Sequence, residues 1–260
     1  MRPALRSNEQ LLGSGAEMPA PHTESLPPGS SVLAVCAHPD DESFGLGGVL
    51  HRLAADGRGT AVLCLTHGEA STLGTFPAGL REIREAELIA AAKELGVGHV
   101  EVLDHPDGGL TAVPVEELVE AVSRTMAAVD ADLLLVFDEG GATGHPDHRR
   151  ATEAGLAASN GVPVLAWGVP KAVGAALNAE FGTTFVGRDE DDFDVILAVD
   201  RAVHRRAIAC HTSQSSDNPV LWRRLELLAE TESLRWMVPP STAPAHTNMP
   251  TAAGAPAKEA

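Results

Sequence analysis

The sequence predicts an α/β domain built on one mostly parallel sheet with helices on both faces. Three observations predict it. Short apolar runs of strand length alternate with longer segments of helical periodicity. The chain is 44% hydrophobic but only 3% aromatic and has no Tyr, so Val, Leu and Ala must pack the core, as in strands covered by close helices. His, Pro, Asp and Gly gather just after the apolar runs, where the loops of such a sheet lie. The arrangement is Rossmann-like, and 260 residues suit a single domain of this kind.

The elements follow in order. "SVLAVCA" is a buried strand, and "ESFGLGGVLHRLAADG" has helical spacing at Leu46, Val49, Leu50 and Leu53, with Gly57 as its stop. "TAVLCLTHG" is a second strand. "LREIREAELIAAAKELG" is an amphipathic helix whose apolar side is expected at Ile83, Leu88, Ile89, Ala92 and Leu95, ended by Gly96. "HVEVLDH" is a third strand, "VEELVEAVSRTMAAVD" a helix, and "ADLLLVFD" a fourth, strongly apolar strand. "HPDHRRATEAGLAAS" opens another helix and "VPVLAWGVP" is a fifth strand. "FDVILAVD", "RAVHRRAIACHTSQ" and "LWRRLELLAETESL" add a strand and two helices. Residues 1–30 and 239–260 are rich in Pro, Ser, Gly and Ala without periodicity and are expected to be disordered tails around a domain at 31–238.

The formal net charge of −17 argues against nucleic acid and anionic membrane surfaces as partners. No run has the length of a membrane span, and the first thirty residues lack a signal-peptide core, so the cytosol is the expected location. Cys36 and Cys64 sit inside apolar runs and are expected to pack as small hydrophobes.

The tripeptide HPD occurs three times: in "AHPDDESFG", "LDHPDGGL" and "TGHPDHRR". Each follows a strand, so all three are expected on the carboxyl edge of the sheet, where ligands bind. "HPDDE" holds one imidazole and three carboxylates in five residues. One carboxylate suffices for a helix cap, and three would repel one another without a cation. His38 and Asp41, three apart at a strand-to-helix turn, can face one point, as can His145 and His148 at a helix start. Two His and one carboxylate around an open position form the ligand set of hydrolytic zinc, which lowers the pKa of bound water toward about 7. Iron or another divalent ion would also suit these donors. Asp40 remains as a general base, and the His not used as ligand remains to support an oxyanion, with Asp147 to orient its ring. "HPDG" at 105–108 has the composition of a turn.

These clusters resemble the LmbE/PIG-L family of zinc-dependent N-deacetylases, whose members act on GlcNAc-phosphatidylinositol and on GlcNAc conjugates of thiol biosynthesis. The resemblance runs through "AHPDDE", "THGE", "REAELIAAAKELGV", "LDHPDGGL", "GHPDH" and "CHTSQ", over residues 31–235. It implies His38, Asp41 and His148 as metal ligands, Asp40 as general base, and His145 with Asp147 behind it at the oxyanion. It also implies substrate contacts from Arg84 and Asp107, with Glu69 and His211 as further pocket residues, although His211 in "AIACHTSQ" reads equally well as a hydrogen-bonded structural histidine. Arg84 reads equally well as a solvated helix residue paired with a Glu. Some relatives carry a Tyr where this chain has Thr143.

The expected activity is removal of an N-acetyl or other N-acyl group from a small amino-sugar substrate, with homo-oligomerisation left open. Amidase action on a thiol conjugate and deacetylation of an antibiotic precursor are the alternatives. A sugar- or nucleotide-binding module would call for a Gly-rich phosphate loop after the first strand, where this chain has "HPDDE".

Overall fold

A computed structural model of the chain describes residues 29–73 and 79–241. Both expected tails lie almost wholly outside the described residues. In chain order the strands are β1 (Ser31–Cys36), β2 (Gly59–Thr66), β3 (His99–His105), β4 (Leu133–Phe137), β5 (Val164–Pro170), β6 (Gly187–Arg188), β7 (Val195–Ala198) and β8 (Thr231–Val238). The helices are α1 (Asp41–Phe44), α2 (Gly47–Ala55), α3 (Leu80–Leu95), α4 (Val115–Ala128), α5 (Gly141–Gly144), α6 (Pro146–Ala158), α7 (Lys171–Phe181), α8 (Arg201–Cys210), α9 (Thr212–Ser215) and α10 (Pro219–Leu228). No described helix is long and apolar enough to cross a membrane.

The sheet runs in the order β3-β2-β1-β4-β5-β8-β7, with β6 pairing β5. Strands β1 to β5 are parallel, and β8 is antiparallel to both neighbours. The side chains of β1 alternate between two cores. Val32, Ala34 and Cys36 join one with Leu50, Leu53, Leu88 and Leu95 from α2 and α3. Leu33 and Val35 join the other with Leu118, Val122, Ala151 and Ala154 from α4 and α6. Both faces of β1 are therefore dry, which is why its sequence is continuously apolar. Cys36 and Cys64 are buried free thiols.

From β1 the chain winds outward through β2 to β3, then returns to β4 on the other side and winds outward through β5. The loops after β1 and β4 therefore leave in opposite directions and open a crevice between them. The first HPD lies on one side of that crevice and the third on the other.

Besides the short β6 and a break at His211 that divides the expected helix into α8 and α9, the structure departs from the sequence reading in four places. The helix expected from Glu42 through Ala55 is broken into α1 and α2 around Gly45 and Leu46. Three glycines here weaken helical propensity, and the Phe137 ring occupies the space above Gly45. The buried face of α3 is rotated. Arg84, Glu87, Leu88, Ala91, Ala92 and Leu95 point inward, while Ile83 and Ile89 are exposed. The hydrophobic pattern misled because two inward positions are charged and find polar partners inside. The segment "KAVGAALNAEF" forms the unanticipated α7. The last expected helix stops at Leu228. Ala229, at φ 51°, reverses the chain, and "TESLRWMV" becomes β8. Local helix propensity yields there to pairing with β5 and β7, and to Glu232, which accepts from Trp167 Nε1 at 2.7 Å and pairs with Arg201.

The Gly45→Ala variant should lose about 1–3 kcal/mol of stability, because a methyl group there meets the Phe137 ring in a packed core. Urea denaturation should show a lower midpoint with an unchanged m-value.

Candidate metal centre

His38, Pro39 and Asp40 leave the end of β1, and Asp41 begins α1. Asp40 sits at φ 134° and ψ −25°, a conformation that costs a non-glycine residue about 1–3 kcal/mol. Its side chain caps nothing. Three contacts hold it. Arg84 Nη2 donates to Pro39 O at 2.5 Å and to Asp40 Oδ2 at 2.9 Å, and Asp40 N donates to Glu42 Oε2 at 2.9 Å. The distorted turn frees Asp41 to point back at the strand end, where its Oδ2 accepts from Ala37 N and His38 N, both at 3.0 Å.

Across the crevice His145 caps α6, with its Nδ1 accepting from Asp147 N at 3.2 Å. One turn on, His148 Nδ1 donates to Gly141 O at 3.2 Å. A carbonyl cannot donate, so Nδ1 carries the hydrogen and Nε2 keeps its lone pair when His148 is neutral. His38 is fixed by the same logic. Its Nε2 faces Asp107 Oδ1 at 3.1 Å and Asp147 Oδ2 at 3.4 Å, which leaves Nδ1 with the lone pair in the neutral ring.

Two ring nitrogens and the two oxygens of one carboxylate then converge. His38 Nδ1 lies 3.2 Å from His148 Nε2, His148 Nε2 lies 3.0 Å from Asp41 Oδ1, and His38 Nδ1 lies 3.8 Å from Asp41 Oδ2. Tetrahedral zinc with bonds of about 2.0–2.1 Å sets its donors roughly 3.3 Å apart, so the spacing fits. Lone pairs this close repel unless a proton or a cation sits among them. Each donor residue is also held from behind, by carboxylates, a carbonyl or backbone N–H groups, as metal ligands are. The residues therefore fit the metal that the sequence implies. Two wider groupings of possible donors share His38: one with His145 and His148, the other with Asp107 and Asp147. In the first, His145 Nδ1 is already occupied by Asp147 N. In the second, both carboxylates accept from backbone N–H groups as well. Among the described residues, the His38–Asp41–His148 set turns two ring nitrogens and the Asp41 carboxylate toward one another across the crevice.

The electrostatics agree. Burial opposes the charge on His38, but Asp107, Asp147 and Asp41 outweigh it and raise its pKa to about 10. Burial likewise opposes the charge on Asp41, and His148 and His38 hold it well below the usual carboxylate range. Burial raises Asp40, partly offset by Arg84. Burial lowers His145, with His148 and His38 adding to the effect.

A cavity of about 500 Å³ opens onto this cluster and includes Asp40, His145, Asp107 and Arg84 in its walls. Several expected roles change. Asp147, fully buried, orients His145 through its backbone N–H and not through its carboxylate, which accepts from Gly108 N at 2.8 Å and Leu110 N at 3.2 Å and faces His38. It ties the second HPD turn to the first. Arg84 is neither a solvated helix residue nor a free substrate contact, because its guanidinium is buried and engaged with Gly68 O, Pro39 O and Asp40. Glu69 is exposed, accepts from Asp107 N at 3.2 Å, and does not line the cavity. His211 does not line it either. It is fully buried, and its Nε2 meets Glu42 Oε1 at 2.7 Å. Asp107 does line the cavity, and its Oδ2 accepts from Ala70 N at 2.8 Å. Sequence reasoning missed Glu42 and Glu87 as organisers. Glu87 accepts from Thr212, Ser213 N and Ser213 Oγ, all within 2.9 Å, which binds α3 to α9. The crowding in "HPDDE" was the available signal for Glu42.

A doubly wound sheet with two imidazoles and a carboxylate at its switch point is an α/β architecture whose crevice offers donors for a divalent ion. Residues 33–159 match the family model described as PIG-L, GlcNAc-PI de-N-acetylase. A 1D-myo-inositol 2-acetamido-2-deoxy-α-D-glucopyranoside deacetylase of Nakamurella multipartita is 30% identical over 70% of this chain and 79% of its own length. The namesake enzyme of Kineococcus radiotolerans is 31% identical over 47% of this chain and 43% of its own length, so the match spans less than half of that relative. The chain belongs to the PIG-L (LmbE-like) family. Among solved structures, the N,N'-diacetylchitobiose deacetylase of Pyrococcus horikoshii superposes with a TM-score of 0.60 at 22% identity, over 81% of this chain and 84% of its own. A 4-carboxy-2-hydroxymuconate hydratase of Pseudomonas putida superposes with a TM-score of 0.64 at 18% identity, over 83% of this chain and 99% of its own. At these identities the likeness is one of fold.

In the metal-free protein His38 is protonated at neutral pH, whereas a metal ligand must be neutral. Uptake of a divalent ion at pH 7.5 should therefore release about one proton per site, read by calorimetry in buffers of different ionisation enthalpy. The raised pKa also carries a stability sign. Its contribution to the metal-free fold is complete below pH 6.5 and is lost as pH rises through about 10. The Asp41→Asn variant should not retain stoichiometric metal through gel filtration.

Proposed function

We propose that this chain is a metal-dependent N-deacetylase that hydrolyses the acetamide of a small GlcNAc-containing substrate. The observation that carries the reading is the convergence of His38 Nδ1, Asp41 Oδ1 and His148 Nε2, with Asp40 beside them and open to the cavity. The family and the printed activities of its relatives support the substrate class. Zinc is the ion we assign, since two imidazoles and one carboxylate form an open hydrolytic set.

The bound ion supplies a Lewis acid and lowers the pKa of water. The residues do the remainder. Asp40 accepts the proton of the attacking water, with its carboxylate aimed by Arg84. His145 keeps its Nε2–H toward the cavity because Nδ1 accepts from Asp147 N, so the neutral ring donates to the developing oxyanion. An imidazolium is not needed, and burial disfavours one. Asp40 then returns the proton to the departing amine. Asp107, in the cavity wall, is placed to accept from sugar hydroxyls. Thr143 stands in the wall where some relatives carry Tyr, so oxyanion donation rests on His145.

The test is amine release, read with fluorescamine, from 1D-myo-inositol 2-acetamido-2-deoxy-α-D-glucopyranoside and from simple N-acetylglucosaminides. Turnover should vanish on chelation and return with zinc. A chain holding stoichiometric metal that releases no amine from any of them would defeat the assignment. The Asp40→Ala variant should keep its metal and lose about 10²–10⁴ in kcat.

A further inference from the structure

Three arginines are buried in the described structure: Arg84, Arg201 and Arg224. Arg84 pairs with Asp40 and Arg201 with Glu232. Arg224, on α10, has no carboxylate partner among the described residues. Its Nη2 donates to Phe44 O at 2.5 Å, its guanidinium lies 5.4 Å over the Trp167 ring, and its Nε is buried without a hydrogen-bond partner. It also lines the cavity that holds the metal ligands.

A carbonyl and an aromatic face do not neutralise a buried guanidinium. The nearby carboxylates offset it only through space, Glu232 most, and none is hydrogen-bonded to it. Glu232 is taken by Arg201 and Trp167, Asp40 by Arg84, and Asp41 by backbone N–H groups and His148. Burial pulls the Arg224 pKa down to about 10, which still leaves it cationic at neutral pH. The cavity is also lined by the apolar side chains of Phe44, Val220, Leu221 and Phe185, with Gln214 and Asn218 as neutral polar neighbours. A cation in such a wall attracts one compact anion and offers little to neutral hydroxyls.

From this we infer that Arg224 binds a carboxylate on the substrate, attached to the group that occupies the apolar end of the cavity. The inference rests on the deacetylase reading above and narrows its substrate to an acidic amino-sugar conjugate. A carboxylate is favoured over a phosphate because a single guanidinium balances one negative charge, and among the described residues the wall offers no second arginine or lysine free of a carboxylate partner. Arg224 is thereby a binding residue with no part in proton transfer.

The test uses the metal-loaded full chain and matched glycosides of N-acetylglucosamine: phenyl, 3-carboxyphenyl and 4-carboxyphenyl. Dissociation constants come from calorimetry and turnover from amine release. At least one carboxylated glycoside should bind about 10–100-fold more tightly than the phenyl glycoside, the range of a charge-assisted pair. The Arg224→Gln variant should bring that ratio close to one, and Arg224→Lys should restore part of it. Because a ratio is read, a general loss of folded protein in either variant does not imitate the effect. Equal binding of all three glycosides by the wild type, or a preference that survives in Arg224→Gln, overturns the assignment. Carboxylate-dependent binding without amine release overturns the deacetylase reading and leaves the Arg224 assignment standing.

Discussion

Two imidazole lone pairs and a carboxylate oxygen, each within 4 Å of the next, meet at the switch point of the sheet. This crowding is the constraint that the surrounding structure serves. Such an array is repulsive without a cation or a proton, so every member must be held in place. The fold holds them from behind: Gly141 O fixes the His148 tautomer, Asp107 and Asp147 fix that of His38, and the N–H groups of Ala37 and His38 fix Asp41. Asp147 adds a further link. By accepting from Gly108 N and Leu110 N it joins the loops after β1, β3 and β4 into one wall. The repeated HPD is therefore three turns that converge, the middle one supplying support and a cavity carboxylate.

A second constraint is the strained backbone at Asp40. Its positive φ places the Asp40 and Asp41 carboxylates on different tasks. The strain is sustained by Arg84 from α3 and by Glu42, which is itself pinned by His211 and Ser43. This explains why α3 turns charged residues inward at the expense of two isoleucines. A buried Arg and Glu need hydrogen-bond partners, and Glu87 and both terminal nitrogens of Arg84 find them at the carboxyl edge of the sheet, while Arg84 Nε has none. The same edge thus accounts for the site and for the irregular hydrophobic pattern of the helix that braces it.

The fold tolerates more than one chemistry. A hydratase and a deacetylase share its architecture with this chain at low identity. Function here is argued from donor atoms, tautomers and a placed carboxylate, which differ between proteins of one fold.

By itself the sequence determined the alternation of strands and helices and the parallel centre of the sheet, because fully buried strands must be apolar along their whole length. It also determined the chemical content of the crevice, because "HPDDE" follows β1 directly, "HPDH" follows β4 after a short Gly-rich loop, and loops after parallel strands share one edge. Tertiary structure alone decided the rest. "TESLRWMV" is a strand because β5 and β7 offer it unpaired edges, a gain that local propensity does not register. Ile83 and Ile89 face out because Arg84 and Glu87 find buried partners far away in sequence. The Asp147 carboxylate and Glu69 took roles other than those expected because a side chain's partner depends on ångström-scale loop placement, and no spacing rule carries that information.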